Sequence, residues 1–259
     1  MPNKIVAQIP NIFTLLNLVM GCIAVVYILQ PGIMVVQGDN GEYLAELPQQ
    51  MYWAAICIGI AAVIDFLDGF VARLLGAASD MGKQLDSLAD VVSFGVAPGL
   101  IAFQFLRMAW GNLPDGLAVS EWLLLPAVLV PCAGAYRLAR FNIDTSQSEG
   151  FKGIPIPAAG LLIASFPLIY WFTSYSAVQQ LLLNPYTWYA IIAMVSWLMV
   201  STLPMIALKF KHYGWQGNQS KYILLIASLV LIVSLQWLSV PLIFILYVSV
   251  SLATAKNKS

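Results

Sequence analysis

Eight apolar runs, at about 12–29, 52–75, 84–107, 120–141, 155–174, 186–208, 220–237 and 240–255, divide this chain of 259 residues. Each is close to the ~20 residues with which an α-helix crosses the hydrocarbon core of a bilayer. In that solvent every backbone N–H and C=O must be paired inside the protein, so runs of this length leave the helix as the spanning structure. Charge content agrees: 9% of the residues are charged and 60% hydrophobic, against about 25% charged in a soluble domain. The sequence therefore reads as an all-α integral membrane protein of about eight transmembrane helices. The last two runs meet near Ser239 and are expected to form a helical hairpin.

Basic residues set the expected orientation. Lys4, Arg73, Lys83, Arg137, Arg140, Lys152, Lys209, Lys211, Lys221, Lys256 and Lys258 fall on alternating connections, and of the twelve basic residues Arg107 alone lies opposite. By the positive-inside rule that side, with both termini and the Arg73–Lys83 turn, is cytoplasmic. The 30–51 connection holds Asp39, Glu42 and Glu46 without a cation, and 175–185 is an uncharged loop. Trp110, Trp122, Trp171, Trp188 and Trp237 lie near the predicted outer ends, as an interfacial aromatic belt would. Cys22, Cys57 and Cys132 are isolated in apolar runs and read as small hydrophobes. His212 stands beside two lysines and reads as solvated. The first run, preceded by Lys4 and without a small-x-small site, is expected to remain as a span. Zero formal net charge gives no reason to expect nucleic acid.

Against this background four carboxylates stand out: Asp65-x-x-Asp68-Gly69-x-x-Ala72-Arg73, then Gly82-x-x-x-Asp86-x-x-x-Asp90 after eight residues. One charged side chain near a bilayer centre costs at least ~2.5–3.5 kcal/mol, so four require a partner. Asp65, Asp68, Ala72 and Gly76 share one helix face, and Gly82, Asp86 and Asp90 share another. The short turn between them makes the two helices antiparallel neighbours, so the carboxylates converge near the cytoplasmic end. Hard oxygen ligands suit a divalent cation such as Mg²⁺ or Mn²⁺. An ion or proton relay, or a non-catalytic lipid-binding scaffold, uses the same residue types.

The spaced pattern of aspartates, Gly69, Ala72, Arg73 and Gly82 resembles the complete signature of the CDP-alcohol phosphatidyltransferase family. The resemblance implies a six-helix core over about 8–210, followed by the hairpin and basic tail at 211–259, all in one membrane domain, 1–259. It implies that Asp65, Asp68 and Asp86 are metal ligands, with two ions, and that Asp90 is the general base and touches a second ion. Asp65, Asp68, Gly69, Ala72, Arg73 and Gly82 are then expected to hold the cytidine nucleotide. Pro10-Asn11-x-x-Thr14-x-x-Asn17-x-x-x-Gly21 resembles the family's first span, and Asn17 is expected to line the same pocket or to hydrogen-bond between helices.

The acceptor alcohol must be read elsewhere. Arg137 and Arg140 close the fourth run on the aspartate side, and Pro155 and Pro157 open the fifth, where a helix N-terminus suits an anion. These stretches, with Ser93-Phe94-Gly95-Val96-Ala97-Pro98, look like the branch of the family whose acceptor is L-serine. The expectation is metal-dependent transfer of a phosphatidyl group from CDP-diacylglycerol to L-serine, giving phosphatidylserine and CMP. Glycerol phosphate, inositol phosphate or choline are alternative acceptors for the same chemistry. The resemblance further implies a homodimer, and the compact chain suits a bacterial inner membrane with a cytoplasm-facing site.

Overall fold

A computed structural model of the protein describes residues 8–30, 33–37, 43–77, 79–114, 116, 119–144, 151–206, 214 and 218–256. Lys4, Asp39, Glu42, Lys209, Lys211, His212 and Lys258, on which part of the charge reading rests, lie outside the described residues.

Helix α1 (Ile9–Leu29) starts with Pro10 in its first turn, where a missing N–H costs nothing. Its buried face is Asn11, Thr14, Asn17, Gly21, Ala24 and Ile28, while Ile12, Leu15, Leu16, Val19 and Val26 are exposed. Large apolar residues outside and small or polar ones inside is the arrangement a lipid solvent favours, because small residues let helices approach closely. A strand pair, β1 (Met34–Gln37) and β2 (Tyr43–Glu46), runs antiparallel with Met34 opposite Glu46 in the connection to α2 (Met51–Leu75).

Between α2 and α3 (Asp80–Asp90) the chain reverses over four residues. Gly76 closes α2 with a left-handed φ of 58°, which glycine adopts without a Cβ penalty. The Ser79 hydroxyl then accepts from the Gly82 N–H at 3.0 Å and caps α3, satisfying one of its orphan donors. Past Asp90 the helix does not end. A π-helical turn, Val91–Val96, joins α3 to α4 (Ala97–Gly111), and the whole forms one stretch of 32 residues.

Two 3₁₀ turns, Glu121–Leu123 and Leu125–Val128, lead into α5 (Leu129–Ile143). After β3 (Phe151–Lys152) comes α6 (Ile156–Phe172). The expected loop at 175–185 contains a short helix, α7 (Ser176–Leu182), bent by 73° against α8 (Pro185–Val200). The sixth run, expected to reach 208, leaves the helix at Ser201; β4 (Pro204–Met205) then pairs with β3, Lys152 opposite Pro204.

Helix α9 (Gln219–Leu235) meets α10 (Ser239–Lys256) at a 3₁₀ turn, Gln236–Leu238, where Gln236 has φ 48°. The hydroxyls of Ser220 and Thr254 lie 3.1 Å apart, so the two helices are antiparallel. By length and composition five helical stretches among the described residues suffice to cross a membrane, and the bent pair of α7 and α8 makes a sixth. One of the five, Gln219–Thr254, is this hairpin and therefore holds two of the expected runs. Helix α6, at 17 residues, is shorter.

The interior differs from expectation at one tryptophan. Trp188 is fully buried, stacks on Phe105 at 4.3 Å between ring centres and meets Phe166 edge-on at 5.2 Å. Its indole N–H donates to the Leu182 carbonyl at 2.9 Å. It is a core anchor and not a belt residue. Trp122, 79% exposed, is in a position that suits a belt. Among the described residues Cys57 is buried, Cys22 and Cys132 are exposed, and all three are free.

Candidate active site

The antiparallel turn brings α2 and α3 together as their aspartate faces require. One carboxylate oxygen from each of Asp65, Asp68 and Asp86 lies within 4.8 Å of the other two. Asp90 adjoins both Asp65 and Asp86, and Asp68 and Asp90 are each only 6% exposed. Like charges this close repel strongly unless something neutralises them. The Asp86 Oδ1 atom is buried and has no hydrogen-bond partner among the described residues. An orphaned carboxylate oxygen facing two further carboxylates is a donor set suited to a hard divalent cation, so the residues fit the metal that the sequence suggested.

Helix α1 fixes this cluster from the side. The Thr14 hydroxyl donates to Asp68 Oδ2 at 2.8 Å, and Asn17 Nδ2 donates to Asp90 Oδ1 at 3.3 Å. The Ser93 hydroxyl, from the π-helical turn, donates to the Asn17 carbonyl at 3.1 Å. Such a contact needs close backbones. A Cβ on Gly21 would collide with Ser93, whose Cα would stand only 2.8 Å away. Asn17 is wholly buried, and its Oδ1 lacks a partner among the described residues.

Beside the aspartates lies a pocket of about 710 Å³, walled by Asn11, Thr14, Asp68, Gly69, Ala72, Arg73, Gly82, Lys83 and Asp86 among others. Of the residues expected to hold the nucleotide, Asp68, Gly69, Ala72, Arg73 and Gly82 line it. Asp65 is in the carboxylate cluster at its edge, and Asn17 sits deeper, on Asp90. The wall carries two exposed cations, Arg73 and Lys83; Lys83 also donates to the Asn142 carbonyl at 3.0 Å and so ties α3 to the end of α5.

The two arginines of α5 part company. Arg140 donates to the carbonyls of Val200 and Ser201 at 2.7 and 2.9 Å, capping the C-terminus of α8, where a cation is favoured. Arg137 is 6% exposed, its Nε has no partner among the described residues, and it lies within electrostatic reach of Asp90. Pro155 faces the C-terminal hairpin; Pro157 stands half-buried in the first turn of α6.

Sequence reasoning did not find Thr14's grip on Asp68 or Ser93's on Asn17. The available signal was the polar i, i+3 spacing of Asn11, Thr14 and Asn17 in an apolar helix, which marks a face turned to protein but does not name its partner.

Residues 7–196 match the family profile described as CDP-alcohol phosphatidyltransferase. Over 272 aligned residues, covering all of both chains, this chain is 32% identical to a CDP-diacylglycerol–serine O-phosphatidyltransferase of Helicobacter pylori. It is 42% identical over 123 residues, 46% of this chain and 64% of the relative, to the protein of that name from Bacillus subtilis. An archaetidylserine synthase of Methanothermobacter thermautotrophicus is 33% identical over 156 residues, 58% of this chain and 63% of its own. Taken with the converging aspartates, the match across 7–196 means that this chain belongs to the CDP-alcohol phosphatidyltransferase family.

Proposed function

We propose that this protein transfers the phosphatidyl group of CDP-diacylglycerol to L-serine, giving phosphatidylserine and CMP. The observation that carries the reading is the carboxylate cluster set against the 710 Å³ pocket with two cations in its wall, in a chain whose full-length relative is named for this activity. Asp65, Asp68 and Asp86 would hold the metal, Mg²⁺ or Mn²⁺ by the oxygen-only donor set, and Asp90 would serve a second ion. A bound divalent cation neutralises charge on the pyrophosphate and on the departing nucleotide.

The chain's own residues supply the rest. The nucleotide lies along Gly69, Ala72 and Gly82, where the lack of side-chain bulk lets it approach the helices, with Arg73 and Lys83 toward its phosphates. Asp90 takes the proton of the serine hydroxyl, a weak nucleophile when protonated. The serine oxygen then bonds to the phosphorus bearing the diacylglycerol, and the bond from that phosphorus to the CMP oxygen breaks in line. Asn17 holds Asp90 in orientation. Arg137 receives the serine carboxylate or the lipid phosphate, while Arg140 locks α5 to α8 without touching substrate.

The proposed setting is a single membrane domain crossing the bilayer eight times, with a six-helix core at about 8–210 and a hairpin beyond. Both termini and the site face the cytoplasm of a bacterial inner membrane, and the enzyme works as a homodimer. A nucleotide-sized pocket opening beside the aspartates favours group transfer over an ion relay.

The test is CMP release by the purified protein with CDP-diacylglycerol, with and without L-serine and with and without Mn²⁺ or Mg²⁺. Release that needs both serine and metal, and that EDTA abolishes, is expected. Metal-dependent release only with another alcohol would keep the family chemistry and overturn serine; vesicle transport without CMP release would overturn the transferase.

A further inference from the structure

The family match ends at residue 196, and α9 and α10 lie beyond it with no part in the chemistry above. Together with α6 they enclose a groove of about 530 Å³ lined almost wholly by apolar side chains, a volume within the ~300–1,000 Å³ typical of ligand sites. Its wall runs from Pro155 to Leu162 on α6, from Lys221 to Leu229 on α9, and from Tyr247 back to Val240 on α10. At ~1.5 Å of rise per residue, those segments extend the groove about 10–12 Å along the helix axes. A slot of that length, running with the transmembrane helices, has the direction of a lipid acyl chain. Apart from Lys221, Ser228 and Tyr247 its lining is apolar, so most polar groups of a nucleotide or an amino acid would be left unpaired there.

The two ends differ. One points toward the Gln236–Leu238 bend. The other carries Lys221, at the start of α9, while Tyr247, midway along α10, donates its hydroxyl to the Ile206 carbonyl at 3.1 Å. Tyr247 is within electrostatic reach of Arg137, and Arg137 is within reach of Asp90. Asp90, Arg137 and Tyr247 thus stand in electrostatic reach of one another in that order, from the carboxylate cluster toward the groove. A lipid with phosphates at one end and an alkyl chain at the other matches that order of groups, with the cations of Arg137 and Lys221 on its anionic side.

We infer that the groove between α6 and the C-terminal hairpin receives an acyl chain of the CDP-linked lipid substrate. The inference rests on the transferase reading and extends it, because it gives the hairpin a role in substrate selection. CDP-lipids whose chains are too short to reach past Tyr247 lose that part of the binding.

The experiment uses the full-length protein in phosphatidylcholine nanodiscs with CDP-diacylglycerol bearing a diazirine near the end of one palmitoyl chain. After irradiation, label is expected at Leu162, Leu229 and Val240 and is expected to fall when unlabelled CDP-dipalmitoylglycerol is added. Label that the competitor does not displace would show bulk bilayer lipid in the groove and overturn the inference. So would a groove free of label, as when a second copy of the chain covers it. As a second arm, Ser228→Phe fills the slot. The ratio of kcat/KM for CDP-dipalmitoylglycerol to that for CDP-dihexanoylglycerol should drop about tenfold, the loss expected when a few methylenes forfeit their packing. An unchanged ratio would count against the groove. Labelling does not depend on turnover, so protein that releases no CMP from either lipid would refute the transferase while the competed label still decides the groove.

Discussion

Replacing Thr14 with valine tests whether α1 tunes the metal site or merely packs against it. The Thr14 hydroxyl has one proton and two acceptors, Asp68 Oδ2 at 2.8 Å and the Pro10 carbonyl at 3.2 Å. A single O–H donates to one at a time, and the shorter bond to an ionised carboxylate is the stronger. Hydrogen bonds to charged groups contribute about 1.5–3 kcal/mol, which is roughly a 10- to 100-fold change in a binding constant. Loss of a residue that orients a metal ligand typically costs the same ~10–100-fold in metal affinity. Valine keeps the β-branch and nearly the volume, so the helix contact survives while the donor goes. The assay is CMP release titrated with Mn²⁺. For Thr14→Val the half-saturating concentration is expected to rise about 10- to 100-fold, with turnover largely recovered at saturating metal, and Thr14→Ser should restore the wild-type curve. A folded Thr14→Val protein with an unshifted titration would refute the reasoning, because Asp68 would then need no help from α1.

Asp90→Asn removes the proposed base while keeping its shape, and serine-dependent CMP release should fall by about 10²–10⁴-fold with CDP-lipid binding retained in an equilibrium binding assay. Arg137→Gln should raise the KM for serine, or for the CDP-lipid, by about 10- to 100-fold through loss of a charged partner. Arg140→Gln uncaps α8 instead, so its expected signature is a lower melting temperature with no selective change in either KM. Trp188→Ala empties the aromatic cluster with Phe105 and Phe166, and destabilisation of about 3–5 kcal/mol should appear as a marked loss of thermal stability in detergent.

Much of this architecture could be read before any coordinates, for local reasons. Run length is a property of consecutive residues, and so is the i, i+3, i+4 placement that puts Asp65 and Asp68 on one face and Asp86 and Asp90 on another. A short turn with Gly76 then leaves the two helices little choice but to lie side by side. What escaped the sequence depends on partners far along the chain. Asn17 lies 73 residues from the carboxylate it holds, and Arg140 lies 60 residues from the carbonyl it caps. A positive-inside count treats Arg137 and Arg140 alike, although one is buried within electrostatic reach of Asp90 and the other closes a helix. Trp188 misled because an aromatic residue near a helix end suits a lipid interface and a packed core equally well. The hairpin bend expected near Ser239 falls at Gln236–Leu238, and only its backbone, with Gln236 at a positive φ, could not be read from the sequence.

The π-helical turn after Asp90 acts as a phase shifter in a screw. Its Ala97 N–H bonds back five residues to the Val92 carbonyl, so one residue is absorbed without the usual advance around the axis. Upstream, the thread presents carboxylates to α1 and α2; downstream, it presents Ile101, Phe105 and Met108 to the core. Were the turn to refold as plain α-helix with every residue kept, one half would turn against the other by about 100°. Catalytic and packing faces would then fall out of register although every side chain was still present. Removing one residue from 91–96 lets a plain α-helix keep the same phase, whereas adding one shifts it, so the segment should tolerate a single deletion far better than an insertion.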